Sequence, residues 1–308
     1  MMFWFFLLIA SLYLLYKVSN TAERELVKYA EYSGISHLSI GFIFIAAASS
    51  LPELSISTSS AFLGNQEISV GVSLGNVLYD LLLVLPLVAI WYGVKFSEEA
   101  IRRIRIISTI AIISLFPILF LKHVPRIYGL AIIISFLVLI NFILKRKTSE
   151  YRYTTREEKF RNKIVLAISL LSLSILSFLV NLSVKMISET AKIPTLLIGS
   201  LLIPIFTCTP ELFSCLAAAK RKNYDVILGI IFGVLAFDSM FLIGSVSIIA
   251  PITFSNINQF YLLYFFLFTS LTSINIMFAS DRKLSIYSSI FLLMLFALWI
   301  FLSILFGI

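Results

Sequence analysis

The chain has 308 residues, 60% of them apolar and only 13% charged, with a formal net charge of +8. That balance excludes an ordinary soluble globular domain. The basic excess therefore reads as loops facing anionic lipid, not as a nucleic-acid surface.

Ten apolar stretches near the length of a membrane span follow one another, roughly at 2–19, 36–63, 67–93, 104–121, 125–144, 163–181, 193–219, 224–250, 260–279 and 284–306. The expected fold class is an all-α integral membrane protein of ten transmembrane helices. The first stretch lacks a basic leader and a small-residue cleavage site, so it reads as a helix and not as a signal peptide. The longest polar run begins at Lys145-Arg146-Lys147 and separates a first half, 1–144, from a second, 163–308, with 145–162 as a basic linker. His37 and His123 fall at predicted helix ends with no partner motif and read as structural. Cys208 and Cys215 are seven residues apart on one predicted helix. Two turns separate them by about 10 Å, too far for a disulfide.

With the N-terminus outside, 20 of the 24 Lys and Arg residues fall in inner loops and four in outer ones. The positive-inside rule then makes the 145–162 linker cytoplasmic and both termini external, in a multi-pass cell-membrane protein. Five spans per half is an odd number, so the halves insert in opposite directions as an inverted repeat.

Acidic residues repeat inside this apolar background. Pro52-Glu53-Leu54 is followed by Asp80, and Pro210-Glu211-Leu212 by Asp238, the acids standing 27 positions apart in both cases. An offset of 158 relates the two sets, and also Gly41 to Gly199, Ala61 to Ala219, Gly71 to Gly229 and Gly75 to Gly233. A carboxylate at bilayer depth costs about 2.5–3.5 kcal/mol on insertion scales, so such residues mark an ion or substrate path. Pro52 and Pro210 sit near the middle of spans 2 and 7. Each predicts a broken helix whose freed carbonyls face a protein-lined cavity. Carbonyls beside a Glu form the hard oxygen environment that Ca²⁺ and Na⁺ prefer. Hydroxyls cluster at the same depth, and Ser49, Ser50 and Thr207 each lie about one helical turn before an acid. Asn76 lies one turn before Asp80 on the same face; its counterpart, Val234, has no ligand atom.

The run Ser49-Ser50-Leu51-Pro52-Glu53, then Gly75-Asn76 and Asp80, repeated from Thr207, resembles the paired α-repeats of the cation/calcium exchanger superfamily, sodium/calcium exchangers included. The resemblance spans nearly the whole chain, with α-repeats at about 36–93 and 193–250. It implies that Glu53 and Glu211 bracket a divalent ion and that Ser49 and Thr207 add oxygen ligands. Ser50, Asp80 and Asp238 would line adjoining counter-ion sites. Asn76 and Cys208 complete the candidate set. The implied activity is antiport of Ca²⁺, or a similar divalent cation, against Na⁺ or H⁺ by alternating access. Inorganic cations and membrane lipid are the expected partners of a monomer, with no cofactor, nucleic acid or enzymatic activity.

Three departures bear on coupling. Sodium/calcium exchangers typically have Gly-Ser-Asn where Gly75-Asn76-Val77 and Gly233-Val234-Leu235 stand here. They commonly carry Asn at the Asp80 position and a hydroxyl at the Cys208 position. Four carboxylates then face one divalent ion, and such groups share protons, leaving Na⁺ and H⁺ both open as counter-ion. Two other readings are a passive cation channel and an intramembrane aspartyl protease using Asp80 and Asp238. The protease reading leaves Glu53 and Glu211 unexplained, and Leu235-Ala236-Phe237-Asp238 lacks the glycines that its motif requires.

Overall fold

A computed structural model describes residues 2–32, 49–143, 156–280 and 282–307. His37, Gly41, the first part of the 36–63 stretch and most of the 145–162 linker lie outside them. The described chain is predominantly helical. Its helices are α1 (Met2–Tyr32), α2 (Leu51–Phe62), α3 (Gln66–Tyr79), α4 (Leu85–Tyr92), α5 (Glu98–Leu115), α6 (Ile118–Leu121), α7 (Arg126–Ile143) and α8 (Arg156–Ala191). After them come α9 (Thr195–Leu201), α10 (Pro204–Thr207), α11 (Thr209–Lys220), α12 (Tyr224–Ala236), α13 (Ile243–Ile249), α14 (Ile257–Ser280) and α15 (Ile286–Gly307).

Among the described residues, seven helices are long and apolar enough to cross a membrane, or eight if the bent pair Thr195–Thr207 and Thr209–Lys220 forms one span. Of the other two stretches read from the sequence, the shorter apolar helix α7 occupies most of 125–144, and α2 occupies only the second half of 36–63. Two helices overrun the expected limits: α1 continues to Tyr32 and α8 runs from Arg156 to Ala191. Hydropathy marks where lipid begins and ends, whereas a helix continues for as long as its backbone bonds do.

Burial separates a central layer from a lipid-facing one. The spans Gln66–Tyr92 and Tyr224–Ile249 are each 83% buried along their apolar windows, against 28% for Met2–Ala22 and for Asn162–Ala191. The two outer helices, α1 and α8, pack on each other. Leu8, Leu12 and Leu15 form one stripe of α1 at helical spacing, within the same apolar cluster as Leu173, Val180 and Val184 of α8. Through α8 this pair leans on α2, where Asn181 Nδ2 donates to the Ile56 carbonyl at 2.8 Å.

At the centre α3 crosses α9 in backbone-to-backbone contact. A Cβ on Gly75 would come within 2.6 Å of Ser200 Cα, and one on Gly71 within 3.0 Å of Ser200 N. Only glycine permits this approach, which brings the first α-repeat against the broken helix of the second.

Two short backbone pairings tie the halves together outside the helices. The strand β1 (His123–Val124) pairs antiparallel with β2 (Ile252–Thr253), His123 facing Thr253. Lys95 forms an antiparallel bridge with Lys283, and Phe96 N–H donates to the Arg282 carbonyl at 2.8 Å. Thr253 lies 158 residues after Lys95, so the segment leaving each central span makes an equivalent contact with the other half. His123, read from the sequence as a helix-end residue, belongs to β1, and its Nδ1 lies 2.7 Å from the Leu121 carbonyl.

Candidate functional site

The broken span expected around Pro210 is present, but Pro52 and Pro210 each stand in the first turn of a helix and not in mid-helix. Pro52 stands in the first turn of α2 behind Ser50 as N-cap, and Pro210 in the first turn of α11 behind Cys208. A first-turn proline sacrifices no intrahelical donor, so each proline begins a half-helix and does not interrupt one. Normal bonding resumes at once, Leu54 N–H to Ser50 O at 2.9 Å and Leu212 N–H to Cys208 O at 3.0 Å. The second of these proline-bearing spans bends by 42° at Cys208, between α10 and α11, and the chain is also broken between α9 and α10. Glu53 and Glu211 therefore each occupy the first turn of a helix. There the positive end of the helix dipole offsets part of the carboxylate charge.

The other two acids sit at widened turns. Asp80 opens a π-helical turn, Asp80–Val84, closed by Leu85 N–H on the Asp80 carbonyl, and Asp238 lies within a second, Phe237–Leu242. Single π turns inside α-helices shift the register by one residue and recur at functional sites. Here both occur in the most buried spans, at positions related by the sequence repeat.

Asn76 is the hub of the site. Its Nδ2 donates to Asp238 Oδ2 at 3.1 Å, while its Oδ1 accepts from Thr207 Oγ1 at 3.0 Å and from Cys208 Sγ at 2.7 Å. One side chain of α3 thus joins the broken span to the second π turn. In this orientation the amide oxygen accepts from two donors and the amide nitrogen donates to a carboxyl oxygen.

Glu53, Asp80, Glu211 and Asp238 are all completely buried. Both carboxyl oxygens of Glu53, Asp80 and Glu211, Asp238 Oδ1 and the Ser50 hydroxyl have no hydrogen-bond partner among the described residues. The four carboxyls are within Coulombic reach of one another: Glu53 of Asp238 and Asp80, Asp80 of Asp238, and Glu211 of all three. Buried polar atoms are nearly always paired in folded proteins, so seven orphan carboxyl oxygens in one region describe an acceptor set for a positively charged species. Among the described residues, no three His, Cys, Asp or Glu side chains stand together closely enough to hold a metal ion by themselves. Hydroxyl, amide and backbone oxygens have to complete any coordination shell.

The structure gathers the residues singled out from the sequence. Thr207, Cys208, Asn76 and Asp238 are in direct contact, and Glu53, Asp80 and Glu211 lie around them. Ser49 and Ser50 are buried immediately before α2. Ser73, not singled out from the sequence, donates to the Asp238 backbone carbonyl at 2.5 Å. Its spacing of three residues to Asn76 and seven to Asp80 places all three on one helix face, the signal that would have found it. Cys208 and Cys215 are free thiols.

The family model described as sodium/calcium exchanger protein matches residues 3–145 and 163–305. The uncharacterized membrane protein MJ0091 of Methanocaldococcus jannaschii is 26% identical over 227 residues, 72% of this chain and 74% of that protein. The inner membrane protein YrbG of Escherichia coli is 23% identical over 232 residues, 71% of each. A solved structure of the sodium-calcium exchanger NCX_Mj superposes with a TM-score of 0.66 at 22% identity, covering 96% of each chain.

Proposed function

Because the chain belongs to the sodium/calcium exchanger protein family, we propose that it is a secondary-active antiporter. It moves Ca²⁺, or a similar divalent cation, in exchange for Na⁺ or H⁺ by alternating access. The observation that carries this reading is the set of orphan carboxyl oxygens contributed by both halves at two helix starts and two π turns. Burial without a partner has no structural benefit and is explained if a cation is the missing partner. Glu53 and Glu211 bracket the divalent ion, Ser49 and Thr207 add oxygens, and Ser50, Asp80 and Asp238 serve the counter-ion. Asn76 holds Thr207 and Asp238 at a fixed separation, which orients their remaining lone pairs.

The polypeptide crosses the membrane ten times as a monomer. Its five-helix halves are inverted, both termini lie outside and the 145–162 linker lies in the cytoplasm. Such an inverted arrangement favours alternating access over an open pore. The test is ⁴⁵Ca²⁺ flux in proteoliposomes of the full chain. An antiporter requires Na⁺, H⁺ or Ca²⁺ on the far side, whereas a channel conducts without it. Flux that is indifferent to the far-side ions would refute antiport and leave the channel reading.

A further inference from the structure

We infer that the cation site contains a sulfur ligand, Cys208, and binds thiophilic divalent cations of the Cd²⁺ and Zn²⁺ class more tightly than Ca²⁺. This deepens the antiporter reading and rests on it for the transport consequence, though not for the binding itself.

Cys208 is the N-cap residue of α11, at the break in its span, and is only 5% exposed. Its Sγ lies 2.7 Å from Asn76 Oδ1 and 3.5 Å from the Asn76 carbonyl. All four site carboxyls are within Coulombic reach of it, and three of them have both oxygens unpartnered. Cys215, two turns further along α11, provides the internal comparison. It is fully buried and lies within reach of only Asp80 and Glu211.

The pseudo-repeat sharpens the point. The residue 158 positions before Cys208 is Ser50, also an N-cap, whose hydroxyl has no partner. One half therefore offers a hard oxygen at this position and the other a soft sulfur. Ca²⁺ takes oxygen ligands, and Na⁺, likewise hard, gains little from sulfur. Soft sulfur instead raises affinity for Zn²⁺ and related ions, and binding displaces the thiol proton. Carboxyl, hydroxyl and amide oxygens complete the shell.

The experiment uses the full chain, as wild type, Cys208→Ser and Cys215→Ser. In detergent, Cd²⁺ titration is followed by the ultraviolet charge-transfer band of a Cd–thiolate bond. In proteoliposomes, Cd²⁺ competes against ⁴⁵Ca²⁺ flux. The band should appear in wild type and Cys215→Ser and vanish in Cys208→Ser. Half-inhibition by Cd²⁺ should require about tenfold more ion in Cys208→Ser, about 1.4 kcal/mol in affinity. A band that survives Cys208→Ser, or its absence from a folded wild type, overturns the sulfur ligand. So does equal Cd²⁺ potency in wild type and Cys208→Ser. If no variant moves Ca²⁺, the antiporter reading fails, while the absorption band still decides whether Cys208 is a ligand.

Discussion

Glu67 and Asp225 stand 158 residues apart, and each accepts the backbone N–H of a serine in the opposite half. Glu67 takes Ser255 and Asp225 takes Ser97, at 2.9 Å, and the two serines are themselves 158 apart. Each carboxylate lies in the first turn of a central helix, α3 or α12. Each holds the segment that leaves the other central span, beside the β1–β2 and Lys95–Lys283 pairings. The relationship between the halves is therefore structural at the ends of the central layer as well as at the acids within it.

These two contacts differ in strength. Glu67 is half-buried and also accepts from Ser255 Oγ at 2.8 Å and Thr195 Oγ1 at 3.4 Å, whereas Asp225 is exposed. Glu67→Gln should destabilise the protein by about 1–3 kcal/mol and Asp225→Asn by less than about 1 kcal/mol. Thermal unfolding in detergent measures both. Equal losses from the two variants would contradict the difference in burial.

Glu53→Gln and Glu211→Gln should each reduce divalent-cation flux by more than about tenfold while the protein stays folded. The substitutions keep side-chain volume and remove the charge that the cation neutralises. Flux in proteoliposomes, with size-exclusion profile and circular dichroism as folding controls, decides the matter. A folded variant with near-normal flux would remove that Glu from the site.

Asp80→Asn should flatten the pH dependence of transport. The four neighbouring carboxyls share protons, so protonation at Asp80 is coupled to cation binding at Glu53 and Glu211, and flux should fall as the pH on the loading side is lowered. Removing one proton-binding group weakens that coupling. Wild-type flux that follows a Na⁺ gradient and ignores pH would sink proton coupling and leave antiport intact.

Gly75→Ala should disable transport by separating α3 from α9. The new methyl would meet Ser200 Cα at 2.6 Å, and a backbone neighbour cannot swing aside. Overpacking of this kind costs about 1–3 kcal/mol. Because Asn76 is the next residue, its contacts with Thr207 and Cys208 should be lost as well. Thermal stability and flux that both match wild type would show that the crossing tolerates a Cβ.

Orientation is testable with single cysteines in a Cys208→Ser, Cys215→Ser background. A reporter at Thr154, in the basic linker, should be protected from an impermeant reagent applied outside. One at Asn258, exposed at the start of α14, should react. Gln259 beside it is buried and unsuitable. The reverse pattern would invert the topology.

The membrane class, the family and the four acids within apolar stretches could be read from the amino-acid order alone. Apolar runs and buried charges carry free energies large enough to be read one residue at a time. Glu53, Asp80, Glu211 and Asp238 were legible because a carboxylate in lipid is costly, and their repetition at one offset excludes accident. How they are held emerges from the fold. The sequence placed Pro52 and Pro210 in the middle of helices, while in the fold they begin new ones, because a proline is tolerated where no N–H is required. The π turns at Asp80 and Asp238 have no local composition signal; they arise where packing forces one extra residue into a turn. The Asn76 contacts with Asp238, Thr207 and Cys208 span more than 130 residues of sequence. Such contacts exist only once Gly71 and Gly75 have let α3 settle against α9. Side chains so far apart in sequence meet through backbone geometry, and periodicity along a single helix does not encode that geometry.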